Sequence, residues 1–291
     1  MRLLISDSDL DGMGSIILSK AFDIKFDKIE ISTPQKMNSI NIISKILTYD
    51  EIVITDLSLD EVNMKKFISE RNITIYDHHI TSNYLNKKEF KGSISDSSRC
   101  GTKIYFEEYV KKHCTINESA KRFVELIDVY DRWQQNNTLW PLACKLNKVF
   151  QYHKWNNNYF IEKFAREIQN DYFEFDEEDE RNVEIINQEI DYSVDFSDNL
   201  LKIFKNNDIR YGITYYLNYS SEVGNKLINR HNLTYILMIN NKYQDCVSAR
   251  SKPNFDLTLI NGLHGHKNAA GGKFSAELLE NCYNTGTILS T

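Results

Sequence analysis

Three short apolar runs in this chain each stop at an acidic side chain. Leu3-Leu4-Ile5 gives way to Asp7, Glu51-Ile52-Val53-Ile54-Thr55 ends at Asp56, and Ile73-Thr74-Ile75-Tyr76 runs into Asp77-His78-His79. Helix-like stretches lie between them, over 14–21 and 60–70. Short β-rich runs alternating with helical ones predict βαβ units and a parallel sheet. In open α/β sheets the ligand site lies beyond the C-terminal strand ends, where this sequence places its carboxylates and imidazoles.

Further along, residues 100–170 read as mostly helical, and Glu174 to Asp191 forms a dense acidic stretch, read as a solvated linking helix. From about 198 the pattern changes. Strands are expected over Tyr211–Tyr216, Leu233–Ile239 and Asp245–Arg250, with helices over Glu222–Arg230 and Phe255–Leu263. A chain of 291 residues suggests about two domains. The expected division is 1–170 for the first domain, 171–197 for an acidic helical linker and 198–291 for a smaller α/β domain.

Charge and cysteine usage narrow the function. With 35 Lys+Arg against 41 Asp+Glu the net charge is −6, which argues against coating long nucleic acid by charge alone. No segment approaches the ~20 apolar residues of a membrane span, and the N-terminal residues do not resemble a signal peptide. The five cysteines are widely spaced with no CxxC pair, which suits reduced thiols. A cytoplasmic protein is therefore expected.

Five segments carry chemistry. Asp7-Ser8-Asp9-Leu10-Asp11-Gly12 places three carboxylates at alternate positions, suited to a hard cation. The same pattern opens an EF-hand loop, but that loop needs Glu at its twelfth position; here, counting from Asp7, that residue is Leu18. Asp56 and Asp77-His78-His79 follow strands. Ile127-Asp128-Val129-Tyr130-Asp131-Arg132-Trp133 offers one more carboxylate, at Asp128 or Asp131. Gly262-Leu263-His264-Gly265-His266-Lys267-Asn268-Ala269-Ala270-Gly271-Gly272 combines glycine with donor side chains, as a loop approaching an anion would. Upstream of it, Arg250 at a strand end suits bidentate phosphate contact.

Taken in order, DSDLDG, TDLS, YDHH, an Asp and GHKNAAGG resemble the DHH-superfamily phosphoesterases, in the branch with a C-terminal DHH-associated substrate domain. That branch contains RecJ-type exonucleases, nano-RNases and hydrolases of linear and cyclic dinucleotides. The resemblance spans residues 7 to 272, and Ser98-Arg99-Cys100-Gly101-Thr102 matches the small-residue helix opening after DHH. It implies that Asp7, Asp9, Asp11, Asp56, His78 and Asp131 (favoured over Asp128) ligate two divalent cations, with Asp56 bridging them. It further implies that His79 faces the scissile phosphate and that Asp77 orients the histidines. Arg250, His264, Gly265, His266, Asn268, Gly271 and Gly272 would bind substrate, although Leu263 and His264 replace two glycines of the family's usual loop.

A ligand set of Asp with one His favours manganese, with magnesium second. Two such ions neutralise a phosphodiester and activate water. The net charge points away from long strands, so the expected substrate is a short oligonucleotide or linear dinucleotide, cleaved to mononucleotides in a cleft between domains. The alternatives are a RecJ-like single-strand exonuclease, a small-nucleotide phosphatase or cyclic-dinucleotide hydrolase, and a sensor that binds nucleotide without turnover. A homodimer is compatible with all of them.

Overall fold

The computed structural model describes residues 1–69 and 71–287. It divides into two compact units, Met1–Val183 and Glu184–Thr291, with the division inside the helix Glu177–Asn199. The acidic segment expected as a linker over 171–197 is thus not a separate piece. Its start is anchored in the first unit, where Lys163 Nζ donates to Asp176 Oδ2 at 2.7 Å and Asp179 Oδ2 at 2.6 Å. Its later residues Ile186, Ile190 and Val194, spaced by four, join a core of the second unit.

The first unit is built on a five-stranded parallel sheet, order β2-β1-β3-β4-β5. The strands are β1 (Arg2–Asp7), β2 (Lys28–Ser32), β3 (Glu51–Thr55), β4 (Asn72–Asp77) and β5 (Ile94–Ser95). Alternate residues of the central strands feed opposite cores. Leu3, Ile5, Ile52, Ile54, Ile73 and Ile75 pack with Met37, Ile46, Met64 and Phe67. Leu4, Val53 and Tyr76 pack with Met13, Ile17, Ile104 and Phe123 from the helices of the other face. Burial on both faces is the usual condition of a parallel sheet, and it explains the near-continuous apolar runs. β2 was not anticipated, because Lys28-Ile29-Glu30-Ile31-Ser32 is an edge strand and mostly exposed.

The order of the strands positions the site. The chain leaves β1 for β2 on one side, then crosses to β3 on the other, so β1 and β3 flank the topological switch point. Here Ser6 Oγ on β1 donates to Gly12 O at 2.7 Å and lies 2.6 Å from Thr55 Oγ1 on β3. The helix Leu10–Ala21 starts at once, its N-terminus capped by Asp9, which accepts from Gly12 N at 3.0 Å. The predicted helix over 60–70 runs Glu61–Ile68, with position 70 outside the described residues.

The second unit carries a mixed six-stranded sheet, order β10-β11-β9-β8-β7-β6. Its strands are β6 (Lys202–Asn206), β7 (Ile209–Tyr216), β8 (Tyr235–Asn240), β9 (Cys246–Ser251), β10 (His264–His266) and β11 (Ala269–Lys273). Only the β7–β8 pair is parallel, with the helix Ser220–His231 as its crossover. Two sequence expectations are corrected. The helix over Phe255–Leu263 is a single 3-10 turn, Leu257–Leu259, followed by turns. Leu257, Ile260 and Leu263 are buried at a spacing of three, which imitated a helical face. The glycine-rich loop is a β-hairpin, in which Gly265 pairs with Ala270 and His264 with Gly271, while Gly271 also pairs with Ser248 of β9. Among the described residues no helix is long and apolar enough to cross a membrane.

One glycine ties the helix start to the strand end. A Cβ at Gly12 would stand 2.3 Å from Asp7 O and 2.6 Å from Asp7 N, against backbone that cannot swing aside. Gly12→Ala is therefore expected to lower unfolding stability by about 1–3 kcal/mol, as overpacking does. Denaturant unfolding checks it, and an unchanged midpoint would contradict the close approach.

Candidate metal and phosphate site

Side chains from four segments of the first unit converge beyond the strand ends. Asp7 is the last residue of β1, Asp56 follows β3, Asp77 closes β4 with His78 and His79 after it, and Asp131 ends the helix Glu118–Asp131. Asp56 is held in the left-handed backbone region at φ 56°, with its N–H donating to Tyr76 O at 2.9 Å. Asp is among the few residues that adopt that conformation readily. The turn aims the carboxylate back towards its neighbours.

The donor atoms fall into compact sets. One ligand atom each from Asp7, Asp9 and Asp56 lies within 4.8 Å of the others, and the same holds for Asp11, Asp56 and His78. Asp56 is common to both. His78 Nε2 is 3.2 Å from Asp56 Oδ1, 3.6 Å from Asp131 Oδ2 and 3.8 Å from Asp11 Oδ2. Two of these atoms, Asp56 Oδ1 and Asp131 Oδ2, are buried without a hydrogen-bond partner. A buried carboxylate oxygen without a donor is costly, and a bound cation satisfies it. The set therefore fits hard divalent cations, with oxygen donors and one imidazole.

Electrostatics agree with that reading. Burial, then the charge of Asp9, pushes Asp7 up to about 7. Burial followed by the surrounding carboxylates, Asp11 and Asp9 foremost, raises Asp56 and Asp131 well above the usual range. Burial lowers His78, against the pull of Asp11, leaving a neutral imidazole suited to ligation.

A second group of carboxylates is already engaged. Asp77 Oδ1 accepts from His78 N at 2.8 Å and His79 Nδ1 at 2.8 Å, and Asp77 Oδ2 accepts from Ser82 Oγ, which lies 2.9 Å from Ser58 Oγ. Burial alone would raise Asp77, but the His79 bond and charge, with the Ser82 bond, hold it down to about 2. His79 is the counterpart: burial opposes its charge, yet Asp77 lifts it to about 9. Asp77 thus fixes the ring and favours its protonated form.

Asp11 accepts from Gly101 N at 2.6 Å and Thr102 N at 2.8 Å, at the start of the helix Gly101–Tyr105. Each of its oxygens keeps a lone pair for a cation. Asp128, the alternative to Asp131, accepts from Cys100 N at 2.8 Å and Lys103 Nζ at 2.9 Å, so it braces that same helix start. Gly101 is required there, because a Cβ would come 2.7 Å from Asp56 Cβ and 2.8 Å from its Cα.

Residues 98–102 carried a sequence signal in their small side chains, although their hold on Asp11 did not show. Ser58 and Ser82 carried none, because serines in loops are common and nothing in the spacing links them.

The remaining candidates lie in the second unit. Arg250 on β9 donates to Ser221 Oγ at 2.7 Å, Ser220 Oγ at 3.4 Å and Ala249 O at 2.8 Å, beside the first turn of the helix Ser220–His231. His264 and Gly265 are exposed and His266 is half-buried, all on β10. Gly265 has φ 136°, and a Cβ there would meet Ala269 O at 2.7 Å. At Gly271 and Gly272 a Cβ would meet Val247 O at 3.1 Å and Gly262 O at 2.3 Å. Asn268 Nδ2 donates to Ser251 Oγ, Lys252 O and Phe255 O at 2.7–3.1 Å. Its amide donors hold the preceding loop.

Comparison with solved structures finds the same fold. The DHH domain of a member of the s1p family of ribosomal proteins matches with a TM-score of 0.67 at 13% identity, over 98% of this chain and 86% of that one. A pGpG-specific phosphodiesterase, PggH from Vibrio cholerae, matches at 0.59 and 14%, over 97% and 96%. Exonuclease RecJ bound to manganese matches at 0.54 and 11%, over 97% and 88%. No protein-family model matches the chain. Among curated proteins, enoyl-[acyl-carrier-protein] reductase [NADH] FabI of Aquifex aeolicus is 40% identical over 77 residues. That segment is 25% of this chain and spans only 28% of the reductase. The chain has the fold of DHH-domain proteins.

The raised carboxylates set a pH dependence for the metal-free protein. A carboxyl that binds its proton more tightly when folded loses stability as pH rises from the unfolded value, near 4, through the folded one. With Asp7 at about 7 and Asp56 and Asp131 also raised, stability in EDTA should fall between pH 4 and pH 7 and stay low at pH 8. Asp56→Asn keeps the left-handed backbone and cannot ionise, so its stability relative to the parent should grow as pH rises through the range where the parent's carboxyl is forced to ionise. Thermal melts across pH in EDTA test this; a difference between the two proteins that does not change with pH would contradict it.

Proposed function

We propose that this chain is a metal-dependent phosphodiesterase that hydrolyses short oligonucleotides or linear dinucleotides to mononucleotides. The observation that carries the reading is the pairing of two unlike devices at one strand edge. One is a crowd of carboxylates with unpartnered buried oxygens. The other is an imidazolium held by Asp77. A phosphodiester needs both, since it is an anion that resists nucleophilic attack and its leaving alkoxide needs a proton.

Asp7, Asp9, Asp11, Asp56, His78 and Asp131 hold two divalent cations, manganese by preference and magnesium as the second choice. When bound, these ions neutralise the phosphodiester and lower the pKa of water enough to supply a nucleophile. His79, its Nδ1 proton held by Asp77, donates a hydrogen bond to the phosphoryl group or a proton to the departing oxygen. The ester P–O bond breaks, the water oxygen joins phosphorus, and the alkoxide leaves as an alcohol. In the second unit, Arg250 and the β10–β11 hairpin offer groups suited to binding an anion.

The likeness to a pGpG-specific phosphodiesterase over 96% of that chain supports a short substrate, as does the net charge of −6. The likeness to manganese-bound RecJ supports the choice of metal.

The decisive panel crosses Mn²⁺, Mg²⁺ and EDTA with a 5′-phosphorylated dinucleotide, a cyclic dinucleotide and a long labelled single strand. Dinucleotide cleavage with Mn²⁺ and none in EDTA is expected. His79→Ala should lower kcat by about 10²–10⁴, the usual range for a general acid. Equal rates on the long strand would favour an exonuclease, and full activity in both His79→Ala and Asp56→Ala would overturn the site.

A further inference from the structure

Beside Asp131 the chain does something sterically unfavourable. The helix Glu118–Asp131 ends with Arg132, and the next residue, Trp133, lies in the left-handed region at φ 54°. That position after a helix is normally glycine or asparagine, and a bulky residue there is a genuine outlier. Strained residues of this kind persist where the surrounding structure holds them, and they cluster at ligand sites. Here the turn is closed by Trp133 N donating to Tyr130 O at 2.9 Å and Gln134 N donating to Val129 O at 3.0 Å.

The turn displays an aromatic shelf. Trp133 stands edge-on to Trp140, with centroids 5.0 Å apart, and to Tyr130 at 5.7 Å, while Tyr130 and Trp140 stack at 5.9 Å. Asn147 Nδ2 donates to the Tyr130 hydroxyl at 2.7 Å and steadies the shelf from behind. All three rings are half-buried, unlike the fully buried Phe123 and Phe164 of the core below. Tyr130 and Trp140 rest against that core, whereas Trp133 is not part of it, so core packing accounts for the backing rings but not for Trp133. Two peptide steps also keep the Trp133 Cα within about 7.6 Å of the Asp131 Cα. A nucleobase lies about one sugar away from its phosphate, a span of the same order as this limit between the two Cα atoms.

We propose that Trp133, backed by Trp140 and Tyr130, is the stacking surface for the nucleobase next to the phosphate acted on at the Asp131 cluster. It makes the site select nucleotides over phosphoesters that lack a base. Because every base has a π face, the shelf would discriminate little among bases. The inference rests on the phosphodiesterase reading for its substrate, but base stacking can be tested without turnover.

The kinetic test compares a 5′-phosphorylated dinucleotide with its abasic counterpart. The parent protein should prefer the dinucleotide in kcat/KM by about tenfold or more, through KM. Trp133→Ala should bring that ratio close to one, and Trp133→Phe should restore most of it. Trp133→Gly, which suits the left-handed backbone, serves as a second ring-deleting variant should Ala misfold. A ratio unchanged in a folded ring-deleting variant, or a loss of equal size on both substrates, overturns the proposal. Binding supplies the independent arm: guanosine monophosphate against ribose 5-phosphate, measured by equilibrium dialysis. A preference for the nucleotide that disappears in Trp133→Ala and survives in Trp133→Phe supports the shelf even when no substrate is hydrolysed, a result that would sink only the enzymatic reading. No preference in the parent protein overturns the shelf.

Discussion

Like charges forced together at one edge of a sheet are the constraint on which this protein depends. Parallel strands of similar length end on one line, and β1, β3 and β4 each deliver a carboxylate there. Left alone, the charges would repel one another and pull at the fold. They stay because the strands beneath them are buried on both faces and cannot splay. The rigid sheet thus maintains a local arrangement that is unfavourable without a positive partner, and that mismatch is what suits the site to cations.

The acids divide their work by what already touches them. Asp77 and Asp128 are saturated with N–H, hydroxyl or ammonium donors and act on other groups, Asp77 on the His79 ring and Asp128 on the helix start at Cys100. Asp56 and Asp131 each keep a buried oxygen without a donor. Asp11 stands between these cases, with both oxygens anchored by the backbone of Gly101 and Thr102 while its Oδ2 still faces His78. A carboxylate fixed through backbone N–H groups is oriented in advance for whatever cation it meets.

Much of the first unit could be read from the sequence, because its signals are local. An apolar run that stops at Asp names both a strand and its end, and the strands do end at or just before Asp7, Asp56 and Asp77. The second unit was harder. Its hairpin over 264–273 is made of small residues with no alternation to read, and Leu257, Ile260 and Leu263 gave a helical rhythm to a series of turns. The choice of Asp131 over Asp128 could not come from spacing, since both lie near the end of one helix. What else each carboxylate meets supports Asp131: Asp128 meets Lys103 and Cys100, whereas Asp131 lies beside His78. The Ser58–Ser82–Asp77 chain was out of reach for the same reason, being a relation across 24 residues that only the folded chain creates.

The two-faced burial of β1 has an evolutionary consequence. Leu3 and Ile5 belong to one core and Leu4 to the other, with Asp7 two residues beyond Ile5. Removing or inserting one residue in this strand would invert the face of every residue after it and turn the carboxylate away from its neighbours. The strand can change its length only in steps of two, and such a step would carry the carboxylate about 7 Å past the others. Insertions and deletions are therefore barred from this segment by parity and by reach, and drift among relatives should accumulate in the exposed loops instead.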